Sequence, residues 1–171
     1  MNRCIVFDLD GTLIDSIADI ALATNRMREH YGLVPLPGKT VVGYVGHGIA
    51  QLAALAVADA PHIAPEEATE EVLRAYRNDP VVHTTLYPGA ADGLRILKTA
   101  GFRLATASNK PDVLCVPILK KLGVLDLFDA VIGGGRSIAM KPAPDMLLYA
   151  FKETGAEPAR SWMFGDSEPD M

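Results

Sequence analysis

From Phe102 onward, short apolar runs alternate with helical stretches, and that alternation leaves few folds open. Phe102-Arg103-Leu104-Ala105-Thr106, Ala130-Val131-Ile132-Gly133 and Ser161 to Gly165 read as strands, with helices over Pro111 to Leu122 and Pro144 to Thr154 between them. A βαβαβ order predicts a parallel sheet covered on both faces, with functional residues at the carboxyl ends of its strands. An earlier strand, Arg3 to Leu9, runs into the tight loop Asp8-Leu9-Asp10-Gly11-Thr12. The interval 16–86 shows no strand. Apolar residues recur at helical spacing from Asp15 to Tyr31 before Gly32, and Ile49 to Ala58 and Pro65 to Tyr76 read as further helices. The interval is therefore expected to be an inserted helical domain, followed by a core helix over Ala90 to Ala100.

Composition removes several function classes. The 171 residues, 49% hydrophobic and 22% charged, suffice for a sizeable core, which excludes global disorder. The formal net charge is −5 and no stretch collects basic residues, so no nucleic-acid partner is expected. No window approaches the roughly 18 apolar residues that a membrane span needs. MNRCIVFDLDG has no signal-type apolar region, so a cytoplasmic protein with no membrane partner is expected. Cys4 and Cys115, each beside aliphatic residues, read as reduced, buried thiols.

The strand ends carry the chemistry. Asp8 and Asp10 crowd two carboxylates at one loop, which calls for a retained proton or a hard cation such as Mg²⁺; a simple capping loop is the alternative. Ser108-Asn109-Lys110 offers a hydroxyl and an amide suited to phosphoryl oxygens, or else a helix cap. In Lys141-Pro142-Ala143-Pro144, Pro142 keeps Lys141 out of helical geometry and Pro144 suits a helix start. Gly165-Asp166-Ser167-Glu168-Pro169-Asp170 brings two more carboxylates. Four clusters of different chemical kinds at four strand ends are poorly explained as four independent caps.

Taken in order, Asp8-x-Asp10-Gly11-Thr12-Leu13-x-Asp15-Ser16, Ser108-Asn109-Lys110, Lys141-Pro142-x-Pro144 and Gly165-Asp166-Ser167-x-x-Asp170 resemble the four motifs of the haloacid-dehalogenase superfamily. The resemblance implies an α/β fold, a Rossmann-like parallel sheet core (1–15 and 87–171) with an inserted small all-helical cap domain (16–86). It makes Asp8 the nucleophile and Asp10 the general acid and then base. Mg²⁺ would be held by Asp8, the Asp10 backbone carbonyl and Asp166, with Asp170 as a ligand or just behind one. Gly11, Thr12, Ser108 and Asn109 would surround the phosphoryl group, and Lys141 would offset its charge. Asp10 favours a phosphate ester over a halide, which needs no proton. The absence of histidine in Ile17-Ala18-Asp19-Ile20-Ala21-Leu22 favours hydrolysis over sugar-phosphate mutation.

The helical insert is similar to the cap of the phosphoglycolate-phosphatase-like branch, whose W-V-G-x-G element Gly43-Tyr44-Val45-Gly46-His47-Gly48 resembles. Gly46, His47 and Gly48 would then meet a small anionic substrate, unless they only form a turn. Asp15-Ser16 and Tyr87-Pro88-Gly89 read as the hinge strands. The expected activity is Mg²⁺-dependent hydrolysis of a small phosphorylated metabolite, with 2-phosphoglycolate the leading substrate. The alternatives are a pyrophosphatase or nucleotide phosphatase, or a phosphate-binding module without turnover. The chain stops one residue after Asp170, where the family's sheet usually continues, so the C-terminal part of the core is expected to be missing. An exposed sheet edge and self-association, with a homodimer as one outcome, follow from that expectation.

Overall fold

The computed structural model describes residues 3–135 and 137–171, which divide into two compact units, one formed by the segments up to Asp15 and from Thr85, the other by Ser16–Thr84. In the first, β1 (Cys4–Phe7), β4 (Arg103–Pro111), β5 (Ala130–Gly134) and β6 (Trp162–Phe164) form a parallel sheet in the order β5-β4-β1-β6. The register sets Phe7 opposite Thr106 on one side and Phe164 on the other. The chain builds outward from β1 through β4 to β5 and then crosses back to β6. That reversal places a crevice at the carboxyl ends beside β1.

β1, β4 and β5 are largely buried, as their lack of polar alternation predicts, whereas in β6 Trp162 and Phe164 stay half exposed. Cys4, Val6, Ala105, Ala107 and Ile132 pack on one face against Met146, Ala150 and Phe151 of the helix Asp145–Thr154. Helices Ala90–Thr99 and Asp112–Lys121 add Leu94, Leu114, Ile118 and Leu119 to the core. Both cysteines are buried free thiols, and burial pushes each thiol above its ordinary pKa. Among the described residues no helix is long and apolar enough to cross a membrane.

Two boundaries differ from the sequence expectation. β4 continues to Pro111 instead of ending near Thr106, because Ser108, Asn109 and Lys110 are themselves buried and the strand keeps pairing with β5 through an irregularity between Ser108 and Pro111. The paired segments expected at Asp15-Ser16 and Tyr87-Pro88-Gly89 are β2 (Ile14–Asp15) and β3 (Thr85–Leu86). Pro88 has no N–H to give a ladder, and Gly89 turns left-handed to cap the helix from Ala90.

The second unit comprises α1 (Ile17–His30), α2 (Gly38–Val42), α3 (Ile49–Ala56) and α4 (Pro65–Asn78). Ile20, Ala23 and Met27 of α1 pack with Ala68 and Val72 of α4 and Leu52, Ala53 and Ala56 of α3 to form its core. Pro65 opens α4, with Glu66 and Glu67 in the first turn, where they favour the positive end of the helix dipole. The five-residue α2 has no apolar period and was not expected.

Asp19 closes this unit. Its buried carboxylate accepts N–H groups from Val82, His83 and Thr84 at 2.8–3.0 Å and the Thr84 hydroxyl at 2.6 Å. Burial pushes its pKa up, but those hydrogen bonds outweigh it and hold the group below its ordinary value. Asp19→Ala should therefore cost about 2–3 kcal/mol at pH 7, since the buried donors lose a charged acceptor. A depressed carboxylate stabilises above its unfolded pKa, so the gap to wild type should hold from pH 7 to 5 and close as pH falls below about 4. Urea unfolding across that range measures it.

Candidate active site

The site begins where β1 ends. Leu9 is fully buried, and its carbonyl accepts N–H groups from Thr12, Leu13 and Ile14, curling the chain at once after the strand. Flanking a buried Leu9, Asp8 and Asp10 fall on the opposite face of the curl. The Asp8 N–H extends the sheet by bonding the Phe164 carbonyl at 2.9 Å. Gly11 has φ +91°, and a Cβ there would lie 2.3 Å from Asp166 Oδ2, so both backbone and space require glycine. The Thr12 hydroxyl donates to Asp166 Oδ1 at 2.6 Å.

Beyond β6 the chain folds back through a short 3₁₀ turn, Glu168–Asp170, closed by a capping box in which the Ser167 N–H and hydroxyl both donate to Asp170 Oδ2. Asp170 lies directly over Gly165, where a Cβ would come within 2.1 Å of its Cγ. Asp8, Asp166 and Asp170 each offer a carboxylate oxygen, and these atoms lie within 4.8 Å of one another.

Two buried lysines answer this charge. Lys141 Nζ donates to Asp8 Oδ1 at 2.8 Å and to Asp170 Oδ1 at 2.5 Å. Its backbone is clamped by Asn109, whose Oδ1 accepts the Lys141 N–H at 2.9 Å and whose Nδ2 donates to the Lys141 carbonyl at 3.0 Å. Lys110 Nζ donates to both oxygens of Asp10, at 3.0 and 3.2 Å. Burial pushes the Asp8 carboxyl above its ordinary value, and Asp10 adds to this, against opposing pulls from Lys141 and a Ser108 hydrogen bond. Asp170 is also desolvated, but hydrogen bonds from Lys141 and Ser167 hold its pKa below the usual value.

The structure thus gathers Asp8, Asp10, Ser108, Lys141, Asp166 and Asp170, and it shows the partners of several neighbours. Asn109, expected to face the phosphoryl group, uses its amide on the backbone of Lys141. Thr12, expected there too, orients Asp166. Asp10, expected to reach the metal through its backbone carbonyl and the leaving oxygen through its side chain, has that side chain outside the group of three carboxylates and paired with Lys110. Gly46, His47 and Gly48 form the turn between α2 and α3 in the helical unit, with φ of 111° at Gly46 and 89° at Gly48, and His47 is exposed. Lys110 and Ser167 had no role in the sequence reading. The available signal was a lysine two places after Ser108, matching the spacing of Asp8 and Asp10.

Three carboxylates converging from two strand ends supply hard oxygen donors and excess negative charge, which fits a divalent cation such as Mg²⁺. A parallel α/β core with acidic and lysine side chains at its carboxyl edge suits phosphoryl-transfer chemistry. The comparisons specify it further. The family model for haloacid dehalogenase-like hydrolases matches residues 2–171. The phosphoglycolate phosphatase of Chromobacterium violaceum is 38% identical over 174 residues, covering 99% of this chain and 78% of that protein. That of Aquifex aeolicus is 37% identical over 169 residues, covering 99% and 78%. The crystal structure of a predicted phosphoglycolate phosphatase from Haemophilus somnus 129pt superposes with a TM-score of 0.91 at 29% identity, covering 99% of this chain and 79% of that one. The chain belongs to the haloacid dehalogenase-like hydrolases, in the branch that contains the phosphoglycolate phosphatases, and is a phosphoric monoester hydrolase.

Proposed function

We propose that this chain is a Mg²⁺-dependent phosphatase that hydrolyses a small phosphomonoester, 2-phosphoglycolate first among them, through an aspartyl phosphate. The observation that carries the reading is Asp8, a buried carboxylate at the end of β1 that shares Lys141 with Asp170 within the three-carboxylate group. Asp8 attacks phosphorus, the bond from phosphorus to the ester oxygen breaks, and Asp10 gives its proton to the departing oxygen. Asp10 then takes a proton from water as that water attacks phosphorus, which frees the Asp8 carboxylate and inorganic phosphate. Lys141 offsets charge on the phosphoryl oxygens, and Ser108 hydrogen-bonds beside it. Asp8, Asp166 and Asp170 would hold the cation, with the Asp10 carbonyl as a further oxygen; when bound, it neutralises charge between carboxylates and phosphate. Gly11 and Thr12 shape this pocket, and the motif around Gly46, His47 and Gly48 supports these as substrate contacts. The curated relatives' activity supports the substrate. Two buried free thiols fit action in the cytoplasm.

The test is phosphate release from 2-phosphoglycolate, nucleoside monophosphates and pyrophosphate, with Mg²⁺ and with chelator. Release from 2-phosphoglycolate should lead the panel, vanish on chelation and return with added Mg²⁺. Release indifferent to chelation would remove the metal, and preference for pyrophosphate or a nucleotide would replace the substrate.

A further inference from the structure

Each carboxylate of the Asp8/Asp10 pair has its own ammonium, and one of these has no role in the chemistry set out so far. Asp8 faces Lys141, whereas Asp10 faces Lys110, whose side chain is only 2% exposed. An ammonium is costly to desolvate, so a buried one is retained only with close compensation. Lys110 has it, with Nζ bonding both Asp10 oxygens. Two contacts from one donor fix the plane of the carboxylate as well as its position.

The strand geometry explains why the pair forms. Ser108 and Lys110 lie two residues apart at the irregular end of β4, and their side chains reach Asp8 and Asp10 respectively. β4 runs parallel to β1, and the extension of β4 past Thr106 carries Ser108 beside Asp8 and Lys110 beside Asp10. The two-residue spacing on one strand end thus matches that on its neighbour. Asp10 also stands outside the group of three carboxylates, so a cation held by those side chains would leave its carboxylate to be oriented by something else.

We propose that Lys110 is a positioning residue that holds the Asp10 carboxylate in the one orientation from which it serves the leaving oxygen. The inference rests on the phosphatase reading above and assigns to that site a residue acting through Asp10, without touching substrate.

The test compares kcat/KM of wild type, Lys110→Met, Asp10→Asn and the double variant on two esters. One is 2-phosphoglycolate, an alkyl ester whose leaving oxygen needs a proton; the other is p-nitrophenyl phosphate, whose leaving group needs little help. Lys110→Met should lower kcat/KM on the alkyl ester by roughly 10- to 100-fold, within the range that a positioned acid contributes. The loss on the aryl ester should stay within a few-fold, and inhibition by inorganic phosphate should be unchanged. In the Asp10→Asn background the Lys110 effect should nearly disappear, since two residues acting as a unit are not additive. Equal losses on both esters, a full multiplicative loss in the double variant, or weakened phosphate inhibition would overturn the proposal. Circular dichroism checks folding, and Lys110→Gln, which keeps an N–H donor at a similar length, replaces Lys110→Met if that variant does not fold. A wild-type chain that releases no phosphate from either ester defeats the phosphatase reading itself and Lys110's role with it, a result distinct from any pattern among the variants.

Discussion

Asp8→Asn should lower phosphate release by roughly 10⁴-fold or more, the scale on which loss of a covalent nucleophile is felt, while leaving the fold intact. The amide keeps the shape of the carboxylate and can still accept from Lys141, but it offers phosphorus no anionic oxygen. Stability should not fall with activity. The Asp8 carboxyl is held above its ordinary pKa chiefly by burial, so its charge is carried at a cost that a neutral isostere avoids. Lys141 also keeps its second partner, Asp170. The expected result is a urea midpoint equal to or above that of wild type, together with phosphate release at background. Residual release above about one percent of wild type would be incompatible with Asp8 as the nucleophile at the losses such residues show.

Lys141→Met should be damaging in both respects. Removing the ammonium leaves Asp8 and Asp170, both largely buried, without the cation each one touches, and breaking a buried pair in this way costs about 3–5 kcal/mol. Loss of the charge proposed to offset the phosphoryl oxygens should remove on the order of 10²–10³ in kcat. The stability defect should be largest near neutrality. Asp170 is held below its ordinary value by Lys141 and Ser167, so its contribution is present in wild type above the unfolded carboxylate pKa, about 3.9, and is lost as pH falls through the lower folded value. In the variant both carboxylates lose that support, so acidification should narrow the gap between the two proteins. Urea unfolding at pH 7 and pH 4 reads the stability arm, and phosphate release reads the catalytic one. A variant as stable as wild type at pH 7 would show that the two contacts contribute nothing net.

Much of the core was legible because short apolar runs bounded by Gly, Pro and Asp can hardly be anything but strands in a parallel sheet. β1, β5 and β6 fall in that class. The distal half of β4 did not, since Ser108, Asn109 and Lys110 look like loop residues until burial and pairing hold them in a strand. α2 escaped notice because five residues carry too little periodicity. The two-residue segments β2 and β3 shifted because Pro88 and Gly89 end the pairing where the sequence suggested it began.

By itself the sequence determined which chemistry was on offer: aspartates, a hydroxyl and lysines in a fixed order at strand ends, with glycines where the backbone must turn. Only the tertiary structure decided the partners. Thr12 finds Asp166 across 154 residues, Lys110 finds Asp10 across 100, and Asn109 clamps Lys141 across 32. A carboxylate or amide has no local pattern that names its mate, because a hydrogen bond is set by distance and angle after the strands align. Residue type is a property of the chain, whereas pairing is a property of parallel strands brought side by side.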